Sequence, residues 1–232
     1  MDSDRVSRIA EAIGARVGPD PASYPQRVCA AAADLLGMSG AGLALMTKSV
    51  LGAAWASDGA SRTVEELQFA LGEGPALEAF NGGAPALEPS LAGSSRWPFF
   101  APQARALGVE AAFSFPLQLG VIRLGTVNLF RDCPGFLSRD ELADALVLAD
   151  VVTGDLIDLQ AQGMLLWAPS DHMGQRARVH QATGMISVQM GADMTAALAR
   201  IRAYAFVNEI SIFEVADMVL DRTLRLTPHA LE

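Results

Sequence analysis

The sequence contains few of the residues that usually carry catalysis or metal binding. Its 232 residues include two cysteines, Cys29 and Cys133, and three histidines. The cysteines form no C-x-x-C pair, and neither a cysteine nor a carboxylate accompanies the histidines at metal-ligand spacing. This argues against a disulfide framework, a metal centre and a catalytic nucleophile. The sequence therefore predicts no cofactor, no metal and no enzymatic activity.

Membrane and secretion signals are also missing. No uninterrupted apolar run is long enough to span a bilayer, and the polar N-terminus is typical of an amphipathic helix rather than a signal peptide. We therefore expect a soluble, cytoplasmic protein without a membrane partner. Hydrophobic residues make up 51% of the chain and charged residues 19%, which is enough apolar material for a packed core. The net charge of -9 predicts a surface that repels phosphate.

The first 60 residues predict two helices followed by a pair of strands. Val6, Ile9, Ile13 and Val17 lie on one stripe of an N-terminal helix, which we place within residues 1–21. A second helix, about 25–36, has Cys29 beside its apolar face, so this cysteine is most simply a small core residue. The segments "AGLALMT" and "VLGAAWAS" predict two strands joined by a short turn at Lys48 and Ser49.

A second pair of strands is predicted from "EAAFSFPLQ" and "VIRLGTVNLFRD". Phe113, Phe115 and Leu117 alternate with polar or small residues, which is typical of a sheet with one buried face. Pro116 has no N–H to donate to a neighbouring strand. This strand is therefore predicted to lie at an edge or to contain a bulge.

The region between the strand pairs, residues 60–108, predicts short helices and loops. Thr63 and Glu66 fit a capping box, so a helix is predicted to start there. The segment "LGEGP" predicts a turn before a short helix at 76–80, and it lacks the G-K-[ST] ending of a phosphate loop. "SRWPFFAPQARALGV" is interpreted as a loop that leads into another helix.

Loops that cross one face of a sheet can enclose a ligand pocket. The large apolar side chains of the loops and edge are the candidates to line it. The simpler alternative is that they fill the core. The candidates are Trp55, Trp97, Phe99, Phe100, Phe113 and Phe115.

A long helix is predicted at about 139–166, beginning with a capping box formed by Ser138 and Glu141. Its apolar residues recur at spacings of three and four, as in a coiled coil. We expect the first half to pack on the sheet and the second half to form a homodimer, and a helix contained within one domain is the alternative. The seam consists of Leu142, Ala145, Ala149, Val152, Leu156 and Leu159.

The chain from Gln175 onward is predicted to be entirely helical. Helices at about 175–190, 194–207 and 212–224 form a small bundle, with Asp193 and Ser211 as caps. The fold class is therefore α+β, with a domain at 22–168 and a bundle at 169–232. Residues 172–226 carry six arginines and five acids, a net +1, whereas residues 1–171 carry a net -9. Arginine binds phosphate well, although a solvated helix face explains six arginines equally.

The C-terminal bundle resembles the ANTAR domain, an RNA-binding module of bacterial transcription antiterminators. The residues that carry the resemblance are Ala182-Thr183-Gly184-Met185-Ile186 on the first helix, Ala197, Ile201, Arg202 and Ala205 on the second, and Ile212, Val215 and Ala216 on the third. The family usually has a lysine at the position of Thr183.

The preceding domain resembles a GAF domain of the actinobacterial type. The resemblance rests on "LQFALGEGPALEAF", "SRWPFFAPQARALGVEAAFSFPLQLG" and "LGTVNLF". It implies an antiparallel sheet flanked by helices. This subtype often has a cysteine after "GEGP", where this chain has Ala76, so thiol-based sensing is not expected at that position.

Together the two resemblances imply a regulator of transcription antitermination. A signal reaches the GAF domain, and a homodimer binds tandem hairpin loops in nascent transcripts. An unidentified small-molecule ligand is a further possible partner. The alternatives are an adaptor that acts through protein contacts without binding RNA, and an enzyme such as the GAF-fold methionine-sulfoxide reductases. The candidate RNA-binding residues are Arg178, His180, Gln181, Thr183, Arg200 and Arg202.

Overall fold

The computed structural model describes residues 3–15, 23–47, 50–163 and 171–226. The chain divides into two compact units, Met1–Ala168 and Pro169–Glu232. Val17, the turn at Lys48 and Ser49, Pro169 and His229 lie outside the described residues. No helix in the described part is long and apolar enough to cross a membrane.

The first unit contains a five-stranded sheet and six helices among its described residues. The helices are α1 (Ser3–Ala15), α2 (Tyr24–Leu35), α3 (Gly59–Leu71), α4 (Pro75–Gly82), α5 (Phe100–Ala106) and α6 (Arg139–Ala161). The strands are β1 (Gly40–Thr47), β2 (Val50–Ala56), β3 (Ala86–Glu88), β4 (Ala111–Leu119) and β5 (Ile122–Arg131).

All strand pairs are antiparallel, in the order β2-β1-β5-β4-β3. Both predicted strand pairs are present, whereas β3 falls in the region predicted to lack strands. It pairs only with Ala112–Ser114 of β4, so Pro116 lies beyond the part of β4 that β3 covers. The register also shifts between Leu117 and Gln118. A proline is tolerated here because one side of the strand is uncovered.

The main core lies between one face of the sheet and helices α1, α2 and α6. Alternate residues of the strands supply it, including Leu43, Phe113, Phe115, Val127 and Leu129. The opposite face is also buried, under α3, α4 and α5. The prediction of a single buried face was therefore wrong. The polar residues that alternate with the phenylalanines are covered by helices rather than by water.

Two predictions about the helices of the first unit are corrected: the start of α3, and the separation of the N-terminal helix from the following domain. The helix α3 begins at Gly59, and the cap is Asp58, whose side chain accepts a hydrogen bond from the Ser61 N–H. The predicted start at Thr63 lies one turn inside this helix. The N-terminal helix is also no separate element, because Ile9 and Ile13 are buried in the main core of the first unit.

Both halves of the α6 seam pack on the core of their own unit, whereas the prediction placed only the first half there. Ala145, Ala149, Val152 and Leu156 are buried in the core of their own unit. Leu142 and Leu159, at the two ends of the seam, are partly buried against the same core. The middle of the seam is covered because α1 and α2 pack beside the sheet. The Arg8 guanidinium, for example, donates to both carboxylate oxygens of Asp144 at 2.7 Å.

The second unit consists, in its described part, of α7 (Asp171–Met190), α8 (Met194–Val207) and α9 (Ile212–Leu220). Small and branched side chains fill the space between these helices: Val179, Ala182, Ile186, Ala197, Leu198, Ile201, Ala205, Ile212, Val215, Ala216 and Val219. Asp193 caps α8 through the Ala196 N–H, and Ser211 and Glu214 form a capping box on α9. Both caps match the sequence prediction.

Candidate ligand site and candidate RNA surface

The second face of the sheet carries a cluster of buried polar side chains. We call it the polar cluster: Glu65 and Gln68 of α3, Ser114 of β4, and Thr126 and Asn128 of β5. Each is at most 1% exposed. Buried polar groups of this kind are unusual unless they bind one another or a ligand.

Strand register brings the cluster together. Ser114 and Asn128 are direct cross-strand partners, and Thr126 lies two residues before Asn128 on the same face. Side chains opposite each other on neighbouring strands have Cβ atoms roughly 5 Å apart. The Asn128 Nδ2 atom donates to the Glu65 Oε1 atom at 2.6 Å, which ties α3 to the sheet.

Glycines allow this close approach of α3. A Cβ atom on Gly42 would lie 2.1 Å from the Glu65 Oε1 atom, and one on Gly40 would lie 1.9 Å from the Ser61 Oγ atom. Real Cβ atoms do not come this close to another heavy atom. The carboxylate of Glu65 therefore lies directly on the backbone of β1, opposite Asn128.

The segment "LGEGP" joins three helices. Gly72 ends α3 in the left-handed conformation, with a φ of 69°. The Glu73 Oε1 atom accepts hydrogen bonds from the N–H groups of Phe99 and Phe100 at 2.6 Å, at the start of α5. The Gln68 Oε1 atom accepts one from Ala76 at 2.8 Å, at the start of α4. The motif thus orders the helices that cover the polar cluster.

Four atoms of the cluster lack a hydrogen-bond partner among the described residues. They are the Asn128 Oδ1, Ser114 Oγ, Thr126 Oγ1 and Gln68 Nε2 atoms. A buried polar atom left without a partner costs about 1–3 kcal/mol. Several such atoms on adjacent positions are what a site for a polar ligand presents.

The predicted pocket residues do not form one site. Phe113 and Phe115 lie in the main core, on the opposite face of the sheet from the polar cluster. Trp55 packs against that core too, because it pairs across strands with Leu43.

The remaining three predicted pocket residues lie at the start of α5 or in the loop before it, on the side of the sheet covered by α3, α4 and α5. Trp97 and Phe100 are buried there, in edge-to-face contact with ring centroids 6.0 Å apart, and Phe99 is 51% exposed. Apolar side chains on both faces of one sheet cannot line a common pocket, so the prediction of a six-residue pocket was wrong.

Thr183 is excluded from the candidate RNA surface. Its side chain is 1% exposed, and the hydroxyl donates to the Val179 carbonyl at 2.7 Å on the preceding turn of α7. The predicted polar contact to RNA was therefore wrong. The side chain is small enough to be buried against α8 and α9, which a lysine head group would not be.

The candidate arginines differ in accessibility. Arg200 and Arg202 of α8 are half-buried, and burial lowers the pKa of Arg202 to about 10. Arg178 of α7 is exposed and forms an ion pair with Asp217 of α9 at 2.5 Å. Gln181 is exposed one turn further along α7, whereas His180 beside it is half-buried. Of the candidate RNA-binding residues, Arg178 and Gln181 are therefore the two that are exposed.

The two cysteines differ in accessibility. Cys29 is completely buried on α2, and desolvation together with the nearby Glu65 raises the pKa of its thiol well above the ordinary value. The thiolate, which is the reactive form, is therefore disfavoured. Cys133 is exposed. No group of three or more histidine, cysteine or acidic residues in the described part could hold a metal ion.

The polar cluster is not predicted from the sequence. A signal was present, since Ser114, Thr126 and Asn128 occupy alternate positions in two strands predicted to pair. Polar residues at alternate positions usually face water, so the pattern was interpreted as a solvated face. The helices that cover this face were predicted, but nothing in the sequence showed against which side of the sheet they pack.

The chain is similar to solved structures but matches no protein-family model and no curated protein. One similar structure is the GAF domain of a phosphoenolpyruvate-protein phosphotransferase from Coxiella burnetii. It has 14% identity and a TM-score of 0.51, and the match covers 70% of this chain and 96% of that one. Another is an N-acylhomoserine lactone-dependent LuxR-family transcription factor from Burkholderia cenocepacia. It has 19% identity and a TM-score of 0.52, with 69% and 98% covered. About 70% of the chain therefore has the fold of a GAF domain.

Proposed function

We propose that this protein is a transcription antitermination regulator. In this proposal the first unit senses a signal and the second unit binds hairpin RNA, with two copies of the chain engaging tandem loops of one transcript. No catalytic activity is proposed.

The sensory role is supported by the fold and by the polar cluster. The first unit has the fold of a GAF domain, and buried polar atoms without hydrogen-bond partners lie on one face of its sheet. The similar transcription factor from Burkholderia cenocepacia depends on N-acylhomoserine lactone. A small-molecule signal is therefore the form of input that the first unit suits.

The observation that carries the proposal is the separate three-helix unit with Arg178 and Gln181 exposed on α7. Its sequence resembles an RNA-binding domain over the whole length of the three helices. Phosphate contacts come from exposed arginines, and loop bases are bound by polar side chains. Residues 172–226 are also free of the acidic excess of the rest of the chain, which would repel phosphate.

The test is binding of a tandem hairpin transcript by the full chain, measured by fluorescence anisotropy at several salt concentrations. Replacing both exposed residues, in a variant with Arg178→Gln and Gln181→Ala, should weaken binding about tenfold, as expected for the loss of one phosphate contact and one polar contact. The helical content and the oligomeric state of the variant should not change. Affinity equal to that of the wild type would contradict the assignment.

Two control variants make the test specific. Arg139→Gln removes the same charge from an exposed position of the first unit and should leave the RNA affinity unchanged. Asp217→Asn breaks the ion pair but keeps Arg178, so it should maintain or increase the affinity. A loss of binding in Asp217→Asn would show that the ion pair acts by holding α7 against α9.

The alternative function is a ligand-binding adaptor that acts through protein contacts. It is favoured by the burial of Thr183 and by the partial burial of Arg202, which together reduce the phosphate-binding surface. A protein of this kind shows no binding to hairpin RNA at any salt concentration. An RNA-binding protein instead shows affinity that falls as salt rises.

A homodimer in this proposal requires a surface other than the buried α6 seam. Outside the seam, α6 includes Leu146, which is 44% exposed. A dimer contact there would leave the core of each copy intact. Light scattering of Leu146→Glu at working concentrations tests this, since loss of the dimer with unchanged helicity is expected if this side forms the contact.

A further inference from the structure

We infer that Phe206, at the end of α8, is a platform on which an unpaired base of the bound RNA stacks. The inference rests on the RNA binding proposed for the second unit, and it names a contact that phosphate-binding arginines do not supply. Three features of α8 support it: the exposure of this ring, the charge of the helix, and the direction in which α8 runs beside α7.

The ring of Phe206 is accessible from outside the bundle. Among the phenylalanines and tyrosines that the structure describes in the second unit, Phe206 alone is exposed, at 61%, whereas Tyr204 and Phe213 are half-buried. The core of the bundle lies on the other side of α8, at Ile201 and Ala205. A ring on the outer side is accessible to a flat partner, and unpaired RNA bases stack on aromatic side chains in this way.

The charge of α8 complements RNA. The helix contains Arg200 and Arg202 and no acidic residue, whereas α9 carries exposed acids at Glu214, Asp217 and Asp221. Phosphates are therefore attracted towards α8 and repelled by α9. The two arginines act through their field, because they are half-buried. An RNA strand suits an aromatic ring on such a helix, since each nucleotide carries both a base and a phosphate.

The acids nearest to α8 in the sequence lie outside the helix. Asp193 precedes α8 and serves as its cap, accepting a hydrogen bond from the Ala196 N–H. Glu209 follows Phe206 by three residues and is exposed. Its charge opposes a phosphate bound beside Phe206, so Glu209→Gln should maintain or increase the RNA affinity.

Phe206 lies at the same end of the bundle as Arg178 of α7. Residues 191–193 join α7 to α8, and two helices connected by so short a turn run antiparallel. Arg178 and Phe206 are equally far along the chain from Ala192, in opposite directions, so the reversal brings both to the end away from the turn. Packed helices lie roughly 8–10 Å apart. One hairpin loop can therefore contact Arg178 with a phosphate and Phe206 with a neighbouring base.

Stacking supplies affinity that salt does not remove. A base stacked on an aromatic side chain strengthens binding by a factor of roughly 5 to 100, and it releases no counterions. An unpaired loop base has a face to offer, whereas a paired base in the stem is already stacked on its neighbours. The contact at Phe206 thus favours the loop over the stem.

The experiment measures binding of the tandem hairpin transcript by variants of the full chain, using fluorescence anisotropy at several salt concentrations. Phe206→Ala and Phe206→Leu should both weaken binding roughly 5- to 100-fold, because leucine is apolar but has no π-face. Phe206→Tyr and Phe206→Trp should retain the affinity of the wild type. The slope of log affinity against log salt should be the same in all of them. Val188→Ala, which shortens an 84% exposed apolar side chain near the turn, is the control and should bind as the wild type does.

Transcripts that lack single bases locate the contact on the RNA. Each loop base is replaced in turn by an abasic nucleotide. Removal of the stacked base should weaken binding to the wild type but not to Phe206→Ala, which already lacks the platform. Circular dichroism should show the same helical content in Phe206→Ala as in the wild type, because the side chain is exposed.

Several results would overturn the inference. Wild-type affinity in Phe206→Ala would exclude the contact, and wild-type affinity in Phe206→Leu would show apolar contact without stacking. A salt slope that changes in Phe206→Ala would indicate a loss of phosphate contacts instead. A lower molar mass of Phe206→Ala in light scattering, with unchanged RNA affinity, would assign this side of α8 to a second copy of the chain.

Single-stranded oligoadenylate separates this inference from the proposed function. A chain that binds hairpins equally well with and without the Phe206 ring refutes the stacking contact alone. A chain that binds oligoadenylate through Phe206 but shows no preference for hairpins refutes the antitermination role alone. A chain that binds neither RNA refutes both.

Discussion

Gly42 shows how a single residue positions the candidate site. Its missing side chain leaves the space that the Glu65 carboxylate occupies, and Glu65 in turn binds Asn128. We predict that Gly42→Ala lowers the free energy of unfolding by about 1–3 kcal/mol, because a methyl group must displace a buried side chain. Urea denaturation measures this change.

A matched glycine provides the control. A Cβ atom on Gly154 of α6 would meet no heavy atom within 4 Å. Gly154→Ala should therefore stabilise the protein by roughly 0.5–1 kcal/mol, since alanine favours a helix over glycine. Equal effects of the two substitutions on the free energy of unfolding would show that the close contact between Gly42 and Glu65 does not affect stability.

Glu73 is a second residue with an effect beyond its own position. It accepts two backbone hydrogen bonds at the start of α5, from another part of the chain. Glu73→Ala should destabilise the first unit by about 1–2 kcal/mol, the usual cost of losing a helix cap. The exposed Glu11→Ala on α1 is the control, and urea midpoints of the two variants should differ by that amount.

Asp58 couples stability to pH. Burial alone would raise the pKa of this carboxyl, but hydrogen bonds from Ser57 and Ser61 outweigh it and lower the pKa below the ordinary value of 3.8. The charged form is thus favoured in the folded state. Its contribution to stability is complete above the ordinary pKa and is lost as the pH falls through the lower, folded value.

The corresponding prediction compares wild type with Asp58→Asn. The variant should be less stable at pH 7, and the difference should shrink as the pH falls from 3.8 through the lower folded pKa of Asp58, because the wild type then loses the charge as well. Urea midpoints at pH 7 and at lower pH provide the measurement. A constant difference across this range would assign the effect to shape and not to charge.

At the scale of elements, α6 shows why a heptad pattern alone does not define a partner. The seam is apolar at coiled-coil spacing, and it is covered by the sheet and by α1 and α2. Leu156→Ala should therefore cost about 2–4 kcal/mol, independent of protein concentration, because it leaves a cavity in the core. Leu146→Ala, at an exposed position, should cost much less.

The dependence of the urea midpoint on protein concentration shows whether the α6 seam packs in the core of its own unit or forms a dimer. If the seam formed a dimer, the midpoint of Leu156→Ala would depend on protein concentration more strongly than that of the wild type. A midpoint that is low at every concentration is the outcome expected from the packing of α6.

Elements with strong local signals were predictable. The capping boxes at Ser138 and Ser211 depend on residues three positions apart, so they are visible in the sequence and are present in the structure. The three-residue strand β3 was missed because its stability depends on β4 rather than on its own residues. The start of α3 was misplaced because Asp58 and Thr63 both carry capping side chains, and local sequence does not rank them.

At the scale of the whole molecule, charge is divided between the two units. Residues 1–168 carry a net charge of -8 and residues 169–232 a net charge of -1, and the second unit has few accessible cations. Its exposed arginines in the described part are Arg178, Arg222 and Arg225, while Arg176 is buried. The proposed RNA binding is thus expected to involve few phosphates.

This leads to a prediction about salt. For the full chain, the slope of log affinity against log salt should be at most about 3 per protomer, since each neutralised phosphate contributes roughly 0.7 to 0.9. The measurement is hairpin binding between low and physiological salt. A slope of about 4 to 5 would require the half-buried Arg200 and Arg202 to reach RNA, which needs a different arrangement of α8.

The sequence by itself determined the α+β class, the strand pairs β1–β2 and β4–β5, the caps of α6, α8 and α9, and the helical composition of the second unit. These depend on periodicity and on residues close together in the chain. Only the tertiary structure decided that both faces of the sheet are buried, that the α6 seam is internal, and that Thr183 points into its own bundle. Each of these depends on which distant element covers a given face, and local pattern does not specify that choice. The polar cluster was also decided by the tertiary structure, because its residues come together only where α3 packs against β4 and β5.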